Sequence, residues 1–115
     1  MLSKISFDEN TMTVNFMGDI DHHSSRQIRG EVDKLILEKM PKHLIFDFKE
    51  VSFMDSSGIG LIMGRYKLIN EYGGGLELLN VSPYLKKVMK IAGLEAIVKI
   101  SNAEQTTTCQ SEGLN

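Results

Sequence analysis

Between Val51 and Lys67 the chain reads VSFMDSSGIGLIMGRYK. The stretch opens as the tail of an apolar strand, turns through the polar corner Asp55-Ser56-Ser57-Gly58, and continues with a helical period. Ile59, Ile62, Met63, Tyr66 and Ile69 fall on one face of that helix. A strand that feeds a helix in this way returns to its sheet by a crossover, so its neighbours run parallel to it. The unit therefore points to an α/β fold. Its corner displays two hydroxyls at a helix mouth, where unpaired backbone N–H groups favour negative charge.

The same alternation recurs on both sides. Lys4–Asp8 and Thr11–Met17 alternate apolar and polar residues around a Glu9-Asn10 turn. This predicts a β-hairpin with Ile5 and Phe7 on one face and Met12, Val14 and Phe16 on the buried face of its second strand. Gly18 to His23 leaves the hairpin as a loop. Ser24, with Gln27 three residues later, has capping-box spacing and opens a helix that turns Ile28, Val32, Leu35, Ile36 and Met40 inward. Pro41 ends it. His43–Phe48 (HLIFDF) is a central strand.

The helix after the corner ends near Tyr72, closed by Gly73-Gly74-Gly75. That triplet lacks the lysine and the Ser/Thr of a phosphate-binding loop. Leu76–Asn80 is the next strand. Ser82 caps a helix with Pro83 at its first position, an inner stripe of Leu85, Val88, Met89 and Ala92, and Gly93 at its end. Ala96–Ile100 is the last strand. The expected order is β-β-α-β-α-β-α-β in a mixed sheet. Residues 1–101 form one domain, and 102–115 a polar tail in which Asn102 is placed to cap a short helix.

With 115 residues and 42% hydrophobic content, the chain can bury one core. A net charge of −2 argues against a dedicated nucleic-acid binder. Lys86, Lys87 and Lys90 read as one solvated helix face. Cys109 is the only cysteine, so no internal disulfide forms, which fits a reducing compartment. The N-terminus MLSKISFDEN has no signal-peptide core, and no apolar run nears the roughly 20 residues needed to span a bilayer. A cytoplasmic protein without a membrane or nucleic-acid partner is expected.

The hydroxyls of Ser56 and Ser57 admit two readings. One caps the helix and the other is a small surface residue. Alternatively, one is a nucleophile or a phosphoacceptor. A hydrolase elbow reads G-x-S-x-G, whereas here Gly58 and Gly60 follow the serines. His22 or His23 as base, with Asp21 as orienting acid, would complete that enzyme alternative. A phosphoacceptor needs only an exposed hydroxyl and a fold that tolerates about −1.5 to −2 added charges. The helix end favours that charge by about 0.3–1 kcal/mol. Asp55 opposes it by like-charge repulsion of comparable size, so the fold is expected to persist. Adjacent His22 and His23 point in different directions, with no third ligand at a useful spacing, so no metal is expected.

Phe53-Met54-Asp55-Ser56-Ser57-Gly58, continuing to Gly64-Arg65-Tyr66-Lys67, resembles the signature of bacterial anti-sigma-factor antagonists of the STAS domain family, in particular the sporulation type of the sigma-F pathway. Gly18-Asp19-Ile20-Asp21-His22-His23, Ser82-Pro83 and Gly93-Leu94 share the resemblance, which runs from about Ile5 to Ile100. It implies a non-enzymatic, monomeric module. The unphosphorylated form binds a protein that is both anti-sigma factor and serine kinase, and this frees the sigma factor. Phosphorylation breaks the complex, and a serine phosphatase restores the module. Ser56 is the implied phosphoacceptor. ATP belongs to the kinase, so no cofactor is expected on this chain.

Partner contacts are assigned to Asp21, His22, Asp55, Ser57, Gly58, Gly60 and Arg65. Gly58 and Gly60 would permit close approach of the helix to the sheet or of a partner to the helix. Arg65 is read as exposed, available to an acidic partner group. A stress-response or other signalling relay is the alternative circuit, and a small serine hydrolase the alternative chemistry.

Overall fold

Strand order follows chain order. β1 (Ser3–Asp8), β2 (Thr11–Phe16), β3 (His43–Asp47), β4 (Gly75–Leu79) and β5 (Lys99–Ser101) lie side by side in one sheet. The computed structural model describes residues 2–102; Cys109 and the tail from residue 103 onward lie outside these. β1 and β2 are antiparallel, and Glu9 turns between them at φ 55°. The other three pairs are parallel. Parallel neighbours need crossovers, here α1 (His22–Lys39), α2 (Ser56–Glu71) and α3 (Pro83–Ile91). All three step the same way across the sheet, so right-handed connections stack the helices on one face.

Burial along the strands agrees. Met12, Val14, Phe16, Leu44, Phe46, Leu76 and Leu78 are buried, while Thr13, Asn15, Ile45 and Glu77 between them are partly exposed. The Phe16 ring centres the core, 5.1 Å from Phe46 and 5.0 Å from Phe48. Ile28, Val32 and Ile36 of α1, Leu61, Ile62 and Ile69 of α2, and Leu85 and Met89 of α3 close over it.

Several elements differ from expectation. Val51–Phe53 before the corner is not strand, and beyond it Met54 makes only an isolated bridge to Ile20. Ala96–Val98 is not strand. The left-handed Gly93 ends the α3 segment, buried Leu94 turns inward, and the chain winds a short 3₁₀ turn over Leu94–Ala96. Strand begins only at Lys99, where Glu77–Leu79 offers pairing. On α2 the inward face is rotated. Gly58, Leu61, Ile62, Arg65 and Ile69 are buried, Ile59 and Tyr66 are partly so, and Met63 is exposed. Likewise Ala92 of the expected α3 stripe and Met40 at the end of α1 are exposed.

Gly74 holds the junction between α2 and β4. A Cβ there would lie 2.8 Å from the Lys42 carbonyl oxygen and 2.9 Å from Ile69 Cγ1. Gly74→Ala is expected to lower stability by about 1–3 kcal/mol, as overpacking against backbone does. Urea unfolding checks this, and an unchanged midpoint would show that the junction can relax.

Candidate functional site

β2 and β3 are parallel neighbours, so the loops leaving their carboxyl ends emerge on the same edge of the sheet, where α/β folds usually place their sites. The two loops are fastened together. Ile20 pairs with Met54 in an isolated parallel bridge. The Ile20 N–H donates to the Phe53 carbonyl at 3.1 Å, and the Asp55 N–H donates to the Ile20 carbonyl at 3.1 Å. The Asp19 carboxylate accepts from the Ser52 and Phe53 N–H groups at 3.0 Å each. This fastening brings Asp21 beside Asp55.

Each aspartate caps a helix. Helix α1 starts at His22, earlier than the Ser24-x-x-Gln27 pattern suggests. Asp21 is the cap: its carboxylate accepts from the Ser24 N–H at 2.8 Å, and the Ser24 hydroxyl accepts from the Asp21 N–H at 3.0 Å. Ser24 thus serves as the reciprocal partner of a capping box. His22 and His23 lie in the exposed first turn. On α2, Asp55 accepts from the Ser57 N–H at 2.9 Å, and the Ser57 hydroxyl also donates to its carboxylate. Ser56, the first residue of α2, is exposed, and among the described residues its hydroxyl has no hydrogen-bond partner.

These bonds hold both carboxyls below their ordinary value of 3.8. For Asp21 the Ser24 N–H is the main cause, followed by the Ser24 hydroxyl. For Asp55 it is the Ser57 hydroxyl, followed by the Ser57 N–H. A depressed folded-state pKa contributes stability above the unfolded value, and that stability is lost as pH falls through the folded pKa. Stability is therefore expected to fall as the pH drops below about 4. Asp21→Asn/Asp55→Asn, which keeps good cap residues, should lose less over that window. Denaturant midpoints at pH 7 and pH 3 test this; parallel losses in both proteins would exclude the caps as the cause.

The two glycines of the corner do different work. A Cβ on buried Gly58 would collide with Cγ and Sδ of buried Met54, so this glycine lets α2 approach the loop beneath it. Gly60 is exposed, and a Cβ there meets nothing within 4 Å. Arg65 is not exposed as expected. Its side chain is only 9% exposed, and Nε lies 2.8 Å from Asp33 Oδ1 of α1. Neither atom meets hydrogen-bond geometry, and among the described residues the buried Arg65 Nη1 has no partner. Burial lowers the Arg65 pKa, Asp33 raises it, and Arg29 lowers it further.

Between α1 and α2 runs a groove of about 560 Å³. Ser56, Gly60 and Arg65 line one wall, and His22, Arg26 and Arg29 the other. It thus joins Ser56, Ser57, His22, Gly60 and Arg65, while Asp21 and Asp55 cap the helices at its mouth. Gly58 does not line it. Arg26 and Arg29 belong to no basic run, so composition does not single them out. The available signal was His22, Arg26, Arg29 and Asp33, polar residues spaced four, three and four apart along one helix face.

Among the described residues, no group of three or more His, Cys, Asp or Glu is placed to hold a metal ion. None of their helices is long and apolar enough to cross a membrane.

The STAS domain family model matches residues 4–107. The anti-sigma F factor antagonist of Paenibacillus polymyxa is 36% identical over 101 residues, covering 88% of this chain and 86% of that protein. The anti-sigma-B factor antagonist of Bacillus subtilis is 38% identical over 95 residues, covering 82% and 84%. Among solved structures, the anti-sigma factor antagonist SpoIIAA in its unphosphorylated form aligns with TM-score 0.79 and 30% identity over 98% of both chains. The Bacillus cell fate determinant SpoIIAA in the phosphorylated form aligns with TM-score 0.72 and 31% identity over 92% of this chain and 96% of that one. Fold, corner and family model agree over nearly the whole length: the chain belongs to the STAS domain family.

Proposed function

We propose that the chain is an anti-sigma factor antagonist whose association is switched by phosphorylation of Ser56. The unphosphorylated form binds an anti-sigma factor that is also a serine kinase, and a serine phosphatase reverses the modification. One observation carries the choice of residue: Ser56 offers an exposed hydroxyl with no partner among the described residues, whereas the Ser57 hydroxyl is committed to the Asp55 cap. A relative solved in unphosphorylated and phosphorylated forms supports the same chemistry.

An enzyme reading needs a base within hydrogen-bond reach of its nucleophile. No His or carboxylate hydrogen-bonds Ser56 among the described residues, which favours a serine that relies on a kinase for its base. ATP would then be held by that kinase. Asp21, His22, Asp55, Ser57 and Gly60 would contribute contact surface. Buried Gly58 and Arg65 would act through the shape they give it. The likeness to antagonists of both anti-sigma F and anti-sigma-B factors keeps a stress-response circuit as a second reading. Kinase choice separates the two.

Incubation with a sporulation-type anti-sigma kinase and ATP, followed by peptide mass mapping, tests the proposal. One phosphate on the Ser56 peptide, absent in Ser56→Ala, is the expected result. Phosphate on Ser57 would overturn the assignment. No phosphate, from a kinase active on its own antagonist, would point to the other circuit. Gly60→Ala gives a second test. It should be at least as stable as the parent, by up to about 1 kcal/mol from helix propensity, yet bind the kinase more weakly. Unchanged affinity would place the partner away from this helix face.

A further inference from the structure

Ser56 stands between two fields of opposite sign. On one side lie the Asp21 and Asp55 carboxylates, close enough for Asp21 to act on the titration of Asp55. On the other side the groove is lined by Arg26, Arg29 and Arg65. Among the described residues Arg26 and Arg29 form no ion pair, and the pairing of Arg65 with Asp33 is poorly aligned. Arg65 Nη1 has no acceptor although its side chain is nine-tenths buried. Donors buried to this degree are nearly always paired. Among the described residues, no carboxylate lines the groove to accept from Arg65 Nη1.

The groove's shape admits an anionic group. A Cβ at Gly60 or Gly64 would meet nothing within 4 Å, so no side chain fills the space beside the arginines. Guanidinium groups hold phosphoryl oxygens through paired, charge-assisted hydrogen bonds. The Ser56 side chain lines the same groove.

We propose that the groove formed by Arg26, Arg29 and Arg65 is a phosphoryl-binding site that receives the phosphate carried by Ser56. The inference rests on Ser56 being the phosphoacceptor. In the phosphorylated protein the phosphate turns away from Asp21 and Asp55 and bridges α2 to the arginines of α1. It also covers Gly60. Phosphorylation then removes contact surface from the partner in addition to bringing charge.

The test installs phosphoserine at position 56 during synthesis and follows its titration by ³¹P NMR. His22, an ionisable side chain that lines the groove, is replaced throughout by His22→Asn. Asp21 and Asp55 are present and ionised in every protein compared, so their effects cancel. Arg26→Gln/Arg29→Gln changes two exposed positions, and circular dichroism confirms the fold.

The double substitution is expected to raise the second phosphoserine pKa by about one unit, the size of effect a nearby opposite charge produces. The same pKa with and without the two arginines overturns the inference. Because the phosphoserine is installed by synthesis, this outcome does not depend on which serine a kinase selects. Failed kinase mapping and a failed groove are separate results.

Discussion

Ser56→Asp is expected to fold like the parent protein and to bind the anti-sigma kinase about a hundredfold more weakly, a loss of about 3 kcal/mol. The fold should survive for two reasons. Ser56 is exposed, and among the described residues its hydroxyl makes no bond that the substitution could break. It is also the first residue of α2, where a carboxylate meets the positive end of the helix dipole, worth about 0.3–1 kcal/mol. The Asp55 cap on Ser57 is untouched. Binding should suffer because a negative charge now projects from the centre of the proposed interface, beside Asp21 and Asp55.

Isothermal titration calorimetry against the kinase, with circular dichroism on the free protein, measures both halves. Ser56→Ala should bind like the parent and resist phosphorylation. Parental affinity in Ser56→Asp would remove charge from the switching mechanism, and an unfolded Ser56→Asp would remove the claim that the fold tolerates the phosphate. Aspartate carries less charge than phosphate, so the natural modification should act at least as strongly.

Asp33→Ala should be the most damaging single change on the α1–α2 interface, lowering stability by about 3 kcal/mol. It leaves the Arg65 guanidinium buried without its only ion-pair partner among the described residues. Asp33 is itself 32% exposed, which places the effect at the low end of the range for buried pairs. The loss should reflect the stranded charge more than the missing attraction. Asp33→Ala/Arg65→Met, which removes both charges and keeps an apolar chain in the gap, is therefore expected to recover most of it. Urea denaturation of the two variants decides the point. If the double variant is no better than Asp33→Ala, packing at position 33 is what matters.

The local patterns proved legible where a single segment determines its own structure. The alternation in Thr11–Phe16, the apolar run at His43–Asp47 and the Ser82-Pro83 cap appear in the fold with little displacement. The site was legible to the extent that Asp55, Ser56 and Ser57 form one corner. What escaped depends on a second segment. Arg65 reads as a surface residue until Asp33, 32 positions earlier on another helix, draws it inward. The inward face of α2 is rotated with it, with Met63 exposed and Leu61 buried. Ser24 reads as a cap until Asp21, stationed by the loop contact to Met54, takes that place. The apolar residues Ala96, Ile97 and Val98 read as strand, but the turn after Gly93 holds the Ile97 and Val98 N–H groups on the Leu94 carbonyl, and pairing begins only at Lys99.

The bridge between Ile20 and Met54, with Asp19 bonded across to Ser52 and Phe53, anchors both loops before any partner arrives. On the reading proposed for Ser56, this fixes how the protein keeps time. No loop has to close before the serine can be modified, and none has to reopen afterwards. The duration of each state is set by the enzymes that add and remove the phosphate. A protein built this way carries no memory: once dephosphorylated, it is at once the molecule it was before.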